Sequence, residues 1–261
     1  MIFETHAHYD DEQFNEDREI LLEELHTSGI DKIINAGASL DSTRKGILIA
    51  EQLPYFYAAA GVHPSDIRDL NEDSFKWLRE QCANPKVVAV GEIGLDYYWD
   101  KEEDVKSLQR YWFKRQMELA RETSLPVIIH SRDAAADTLH CMKEIHAEEI
   151  SGVIHCYSYS IELAREFLKM GYFIGIGGVV TFKNAKKLKE VVAEVPLESL
   201  VLETDAPYLA PEPFRGQRNR SDYLIYVAAK IAEIKDIPVE TVQEVTYQNA
   251  KHLFTKTTLI P

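Results

Sequence analysis

The sequence predicts a closed (β/α)8 barrel, and three observations carry that expectation. Eight short, apolar, β-rich runs punctuate the chain, and segments with apolar residues at every third or fourth position separate them. The series fills about 250 residues, the usual size of this fold. Strands alternating with helices call for a parallel sheet, and runs that are almost continuously apolar call for burial on both faces. A doubly wound open sheet is the competing architecture.

The runs are MIFETHAH (1–8), DKIINAG (31–37), YFYAAAGVHP (55–64), KVVAVGEIGLD (86–96), PVIIHS (126–131), SGVIHCYS (151–158), YFIGIGGVV (172–180) and SLVLETDAP (199–207). Between them, REILLEELHTSG (18–29), LQRYWFKRQMELARETS (108–124) and IELAREFLKMG (161–171) carry helical spacing. Gly29 and Gly171 follow the last periodic residue, where a left-handed cap belongs, and Pro126 opens the fifth run. After the eighth run, SDYLIYVAAKIAEI (221–234) and VETVQEVTYQNAKHLF (239–254) predict two helices that close and cover the barrel. No Pro/Gly/Ser-rich linker, charge block or short repeat divides the chain, so residues 1–261 read as one domain.

In such a barrel the active site lies at the C-terminal ends of the strands. The ionisable residues fall there. His6 and His8 close the first run, His63 the third, His130 the fifth and Asp205 the eighth; Glu92 and Asp96 lie late in the fourth and His155 late in the sixth. Taken singly, a histidine at a strand end is a hydrogen-bonded rim residue. Together they are five of the nine histidines, and the other four, His26, His140, His146 and His252, lie in helical segments where exposure is the expectation. Polar groups at the rim of a core carry a desolvation cost, so their recurrence points to a shared partner. Alternation along the first strand places Glu4, His6 and His8 on one face, with Glu4 beneath the pair as Glu203 lies beneath Asp205. Cys156, beside His155, is expected to face the opposite way as a small core residue.

Convergent His, Glu and Asp describe a nitrogen and oxygen site for Zn²⁺, Mn²⁺ or Mg²⁺. Four histidines and two carboxylates exceed what one tetrahedral ion needs, whereas two ions about 3.5–4 Å apart, bridged by Glu92, take them all and suit hydrolysis of a phosphate ester. Asp205 is placed to serve as both ligand and proton acceptor. Glu4 and Glu203 are expected to support the ligands through hydrogen bonds.

The formal net charge of −14 argues against broad nonspecific binding to nucleic acid. Two local basic segments oppose it: FRGQRNRSD, with Arg215, Arg218 and Arg220, and FKNAKKLKE, with Lys183, Lys186, Lys187 and Lys189. GIGGVV lacks the third glycine and the helix start of a dinucleotide fingerprint, and its glycines instead mark close approach beside the site. Cys82, Cys141 and Cys156 form no C-x-x-C pair, which fits a reducing cytoplasm. No stretch approaches the roughly 20 apolar residues of a membrane span. A first strand starting almost at Met1 leaves no expectation of a leader.

ETHAH, GVHP, GEIGLDYY, PVIIHSRDA, HCYSYS, ETDAPYLAP and RGQRN, in this order, resemble the TatD family of metal-dependent deoxyribonucleases within the amidohydrolase superfamily. The resemblance implies a TIM barrel with one or two divalent ions that hydrolyses DNA phosphodiesters, often from a 3′ end or a single strand. It implies the ligand set His6, His8, Glu92, His130, His155 and Asp205, with His63, Arg215 and Asn219 contacting substrate. Three departures bear on substrate: Glu4 stands where the family has Asp, Tyr159 replaces a glycine, and Arg220-Ser221 follows Asn219 where Glu-Pro is common. Tyr159 is expected to narrow the pocket or offer a stacking surface. The competing activity on the same ligands is hydrolysis of an amide, lactone or aminoacyl ester. No membrane segment or obligate protein partner is indicated.

Overall fold

The computed structural model describes residues 1–258. Its eight strands form one parallel sheet in chain order: β1 (Ile2–Ala7), β2 (Ile30–Ala36), β3 (Phe56–Ala60), β4 (Val87–Asp96), β5 (Val127–Arg132), β6 (Gly152–Ile154), β7 (Phe173–Ile176) and β8 (Leu200–Leu202). The first and last strands meet, which a doubly wound sheet does not allow. Ala7 pairs with Ala206 just beyond β8, and the His8 N–H donates to the Ala206 carbonyl at 2.7 Å. The fold is therefore the predicted (β/α)8 barrel.

Several strands are shorter than their apolar runs. His63, His155 and Asp205 lie past the ends of β3, β6 and β8, where the chain has left the sheet. GIGGVV likewise leaves the sheet at Ile176 and turns into a 3-10 helix over Gly178–Thr181. Within β7 the prediction of close approach holds: a Cβ on Gly175 would overlap the Glu203 carboxylate.

Helices α1 (Arg18–Thr27), α2 (Leu40–Gln52), α3 (Glu72–Gln81), α4 (Glu103–Thr123), α5 (Ala135–Glu144), α6 (Ile161–Lys169), α7 (Lys186–Glu194), α8 (Leu224–Lys235) and α9 (Val239–Leu253) cover the sheet. Gly29 and Gly171 adopt φ of +101° and +83°, the left-handed conformation that their places after α1 and α6 demand. The start of α3 is fixed by a capping box in which Asn71 and Ser74 bond each other's backbone N–H. On α9, Tyr247, Ala250, Leu253 and Phe254 pack with Phe3, Tyr57, Val88 and Ile128, so this helix seals the barrel at the N-terminal ends of the strands. The opposite end is left open.

Two buried glutamines of α4, seven residues apart on one face, hold that open end in shape. Gln116 accepts from the Val62 N–H (2.8 Å) and donates to the Val62 carbonyl (3.1 Å). Gln109 does the same for Asp96, at 3.0 and 3.1 Å. Each satisfies both backbone groups of a residue where its strand stops pairing. Gln116→Leu, which preserves bulk but strands both Val62 groups in an apolar setting, is expected to lower stability by about 1–3 kcal/mol. The urea midpoint checks it.

Candidate metal centre

The first ligand pair is set by an irregularity in β1. Glu4 pairs with Ile33 and Ala7 with Asn35, so three steps along β1 match two along β2. Such a bulge reverses the alternation within the strand. His6 and His8 consequently turn to the inner face, while Glu4 turns outward, which corrects the expectation that all three share a face. The Glu4 carboxylate is fully buried there. It accepts from the His6 N–H (3.1 Å), the Thr204 N–H (2.9 Å), the Thr204 hydroxyl (2.6 Å) and the Ser221 hydroxyl (2.8 Å). Burial pushes its carboxyl up to about 8 against these hydrogen bonds. Glu4 supports His6 through its backbone, not its ring.

On the inner face, His6 Nε2 and His8 Nε2 lie 3.1 Å apart. His6 Nε2 is 3.5 Å from Glu92 Oε2 and 3.6 Å from Asp205 Oδ1, and His8 Nε2 is 3.5 and 3.3 Å from the same atoms. The other Glu92 oxygen faces a second group: His130 Nδ1 at 2.8 Å, His155 Nε2 at 3.5 Å and His63 Nε2 at 3.8 Å. Glu92 therefore stands between two clusters, one on each oxygen. Asp205 reaches the first because its backbone is left-handed (φ +61°) and pinned by its N–H to the His6 carbonyl at 3.0 Å.

Outer partners orient the rings. His8 Nδ1 lies 3.0 Å from the Ala36 carbonyl, so it carries the hydrogen and leaves Nε2 a lone pair. His155 Nδ1 lies 3.2 Å from Glu203 Oε1, and His130 Nε2 lies 3.1 Å from Asp96 Oδ2. His63 differs. Its Nδ1 accepts from the Ser65 N–H (3.1 Å), so its Nε2 carries the hydrogen and faces Glu92 as a donor.

The donor set fits a divalent cation. Lone pairs and carboxylate oxygens converge on one another, and among the described residues no lysine or arginine pairs with Glu92 or Asp205. His6 Nδ1 is buried without a hydrogen-bond partner. Burial would raise the Glu92 carboxyl, but the encircling imidazoles of His6, His63 and His155 hold it well below the usual range. Burial and the neighbouring His130 push His63 down to about 3, keeping it neutral. Burial works against charge on His8 and His155, yet Asp205 and Glu203 respectively, with Glu92, push them up to about 9 and about 10. The cluster thus draws positive charge inward, as protons or as metal.

A cavity of about 860 Å³ opens over the cluster. Asp96, Cys156, Trp99 and Tyr208 line it; Asp96 is one of the strand-end ionisable residues but had no expected role, and the other three were not expected there. Asp96 was legible as the residue four after Glu92 on the same strand face. Cys156 contradicts its expected core position: its backbone is left-handed (φ +46°), which turns the thiol toward His155 and Asp205. Asn219 is not open to substrate. It is fully buried and donates to the carbonyls of Thr204 (3.0 Å) and Tyr208 (2.7 Å), tying its loop to the segment after β8. Arg215 is exposed, with its guanidinium 4.4 Å over the Phe182 ring, outside the cavity lining. Arg218 is paired with Asp17, and Arg220 with Asp222 and Glu24. Lys183, Lys186 and Lys187 are exposed, while Lys189 caps the Phe182 carbonyl at 2.7 Å. Tyr159 lies outside the cavity lining, its hydroxyl bonding Ser131 (3.0 Å) and the Ala134 N–H (3.2 Å), so it does not narrow the cavity as expected. His26, His140, His146 and His252 are exposed, as expected.

The model of the TatD related DNase family matches residues 3–255. The chain is 44% identical over 254 residues to the uncharacterized metal-dependent hydrolase YabD of Bacillus subtilis (strain 168), covering 97% of this chain and 99% of that protein. The crystal structure of YjjV, a TatD homolog from Escherichia coli K12, superposes with a TM-score of 0.91 at 33% identity, covering 97% of this chain and 98% of that one. An uncharacterized amidohydrolase from Saccharomyces cerevisiae shares the fold, with a TM-score of 0.84 at 18% identity over 97% of this chain and 99% of that one. With the family model spanning nearly its whole length, this chain is a metal-dependent hydrolase that belongs to the TatD related DNase family.

Proposed function

We propose that this hydrolase cleaves DNA phosphodiester bonds, removing nucleotides from single strands or 3′ ends, with His6, His8, Glu92, His130, His155 and Asp205 as ligands of one or two divalent ions. The observation that carries the reading is the pair of donor groups on the two oxygens of Glu92: among the described residues these four histidines and two carboxylates converge with no lysine or arginine paired to either carboxylate. Zn²⁺, Mn²⁺ and Mg²⁺ all suit such nitrogen and oxygen donors. Ions held there would acidify a water and offset charge on the phosphoryl oxygens.

The chain's own residues do the rest. Asp205, ionised and at the cavity wall, accepts the proton of the attacking water. His63, neutral and with its Nε2–H directed inward, donates a hydrogen bond to a phosphoryl oxygen without competing for metal. Glu203 Oε1 lies 3.2 Å from His155 Nδ1, within ion-pair reach, and takes the Cys156 N–H at 2.5 Å, fixing the chain just past β6. Glu4 holds the β1 backbone against the segment after β8. Three free cysteines fit a cytoplasmic setting, and among the described residues no helix is long and apolar enough to cross a membrane.

Release of nucleotides from single-stranded, 3′-ended DNA with Mg²⁺ or Mn²⁺ is the direct assay. No turnover with any divalent ion, alongside hydrolysis of a cyclic amide or lactone, would sink the nuclease reading. Asp205→Asn is expected to lower kcat by roughly 10²–10⁴-fold with an unchanged melting temperature. Glu4→Gln is expected to weaken metal affinity about 10-fold, because an amide cannot accept all four hydrogen bonds. Calorimetric titration measures that, and unchanged affinity would confine Glu4 to the fold.

A further inference from the structure

The mouth of the cavity carries groups that the ligand cluster does not use. Trp99 and Tyr98, in the loop after β4, are 69% and 44% exposed. They meet edge to face, with centroids 4.6 Å apart at 89°. Arg132, at the end of β5, lays its guanidinium 3.9 Å over the Tyr98 ring and 5.8 Å from Trp99. Across the opening stands Tyr208, 48% exposed, its hydroxyl fixed by Asp11 at 2.9 Å and its ring 6.5 Å from His8.

Leaving an indole in water beside an exposed tyrosine ring is unfavourable for a rim with no use for them, and exposed apolar surface at the mouth of a cavity marks a binding site. Arg132 adds a second, independent sign. Among the described residues no carboxylate pairs with it, in a chain whose net charge of −14 supplies carboxylates in excess. The rings hold its plane, so its donors stay free for an acceptor that arrives from outside.

We propose that this rim is a nucleobase-stacking subsite for single-stranded nucleic acid, in which a base stacks on Trp99 and a neighbouring phosphate binds Arg132. The proposal rests on the phosphodiesterase reading and specifies which form of substrate the site takes. An aromatic face next to an unpaired guanidinium matches the alternation of base and phosphate along a strand. Base pairs inside a duplex offer no free face, so the subsite selects unpaired strands or frayed ends. An apolar ester would find the aromatic face but leave Arg132 without a partner.

The test compares two probes on the metal-loaded protein, each with phosphorothioate linkages that resist hydrolysis: a short oligothymidylate and an abasic strand of the same length. Wild type is expected to bind the oligothymidylate about 10-fold more tightly. Trp99→Ala removes that preference, Trp99→Phe keeps most of it, and Arg132→Gln weakens both probes alike; circular dichroism and melting temperature verify that each variant folds. Equal affinity of wild type for the two probes, equal weakening of both by Trp99→Ala, or binding of neither overturns the subsite. DNA turnover together with any of those results rejects the subsite and keeps the phosphodiesterase. Absence of turnover with every divalent ion rejects the phosphodiesterase even where the probes bind.

Discussion

The site depends on one contact, the clasp that Glu4 makes across the seam where the barrel closes. β1 and β8 pair only briefly, through Ala7 and Ala206 and the flanking bonds of His8 and Asp205. Behind that seam a single buried carboxylate takes the N–H of His6 from one strand and both the N–H and hydroxyl of Thr204 from the other. Ser221 joins from the following turn, and its own N–H donates to the Tyr9 hydroxyl at 2.9 Å. In that low-dielectric setting each hydrogen bond is stronger than in water, and losing one strands a buried polar group. His6, His8 and Asp205 are thereby held in register although they come from opposite ends of the chain.

From this clasp follows a division of labour between the two faces of the sheet. The outer face holds the backbone, and the inner face is free to present acceptors to one another. That arrangement would be repulsive without a cation, and the protonation pattern expresses the tension: Glu92 and Asp205 are held ionised while His8 and His155 are driven upward in spite of burial. A metal ligand must give up its proton, so loading the cluster exchanges protons for metal. Gln109 and Gln116 complete the frame by fixing the ends of β4 and β3, from which Asp96 and His63 enter.

The eight strands were legible because burial on both faces writes itself as apolar runs, and the helix ends because Gly29 and Gly171 answer a steric demand that few residues meet. The polar strand ends were legible for the same reason, as interruptions of an apolar pattern. The bulge in β1 was not, since it exists only in the pairing of β1 with β2, and it inverted the face assigned to Glu4. Local alternation also failed at Cys156, where the backbone turns left-handed after the strand has ended. Asn219 looked like a substrate contact because its RGQRN loop resembles the family's motif. Its carbonyl partners, Thr204 and Tyr208, are contributed by another loop and are invisible to spacing.

The basic segments show how little a charge count says about a binding surface. Arg218 is neutralised by Asp17, some two hundred residues distant in sequence, and Arg220 by Asp222 and Glu24, so two of the three arginines in that loop serve structure. Arg132 and Arg215, which pair with no carboxylate among the described residues, each rest on an aromatic ring instead. A ring holds a guanidinium in place without consuming its hydrogen bonds, whereas a carboxylate consumes them. An acidic protein that attracts no polyanion at long range can thus keep a short-range grip for phosphate, and attraction confined to the mouth of the site lets shape, not bulk charge, decide what is bound.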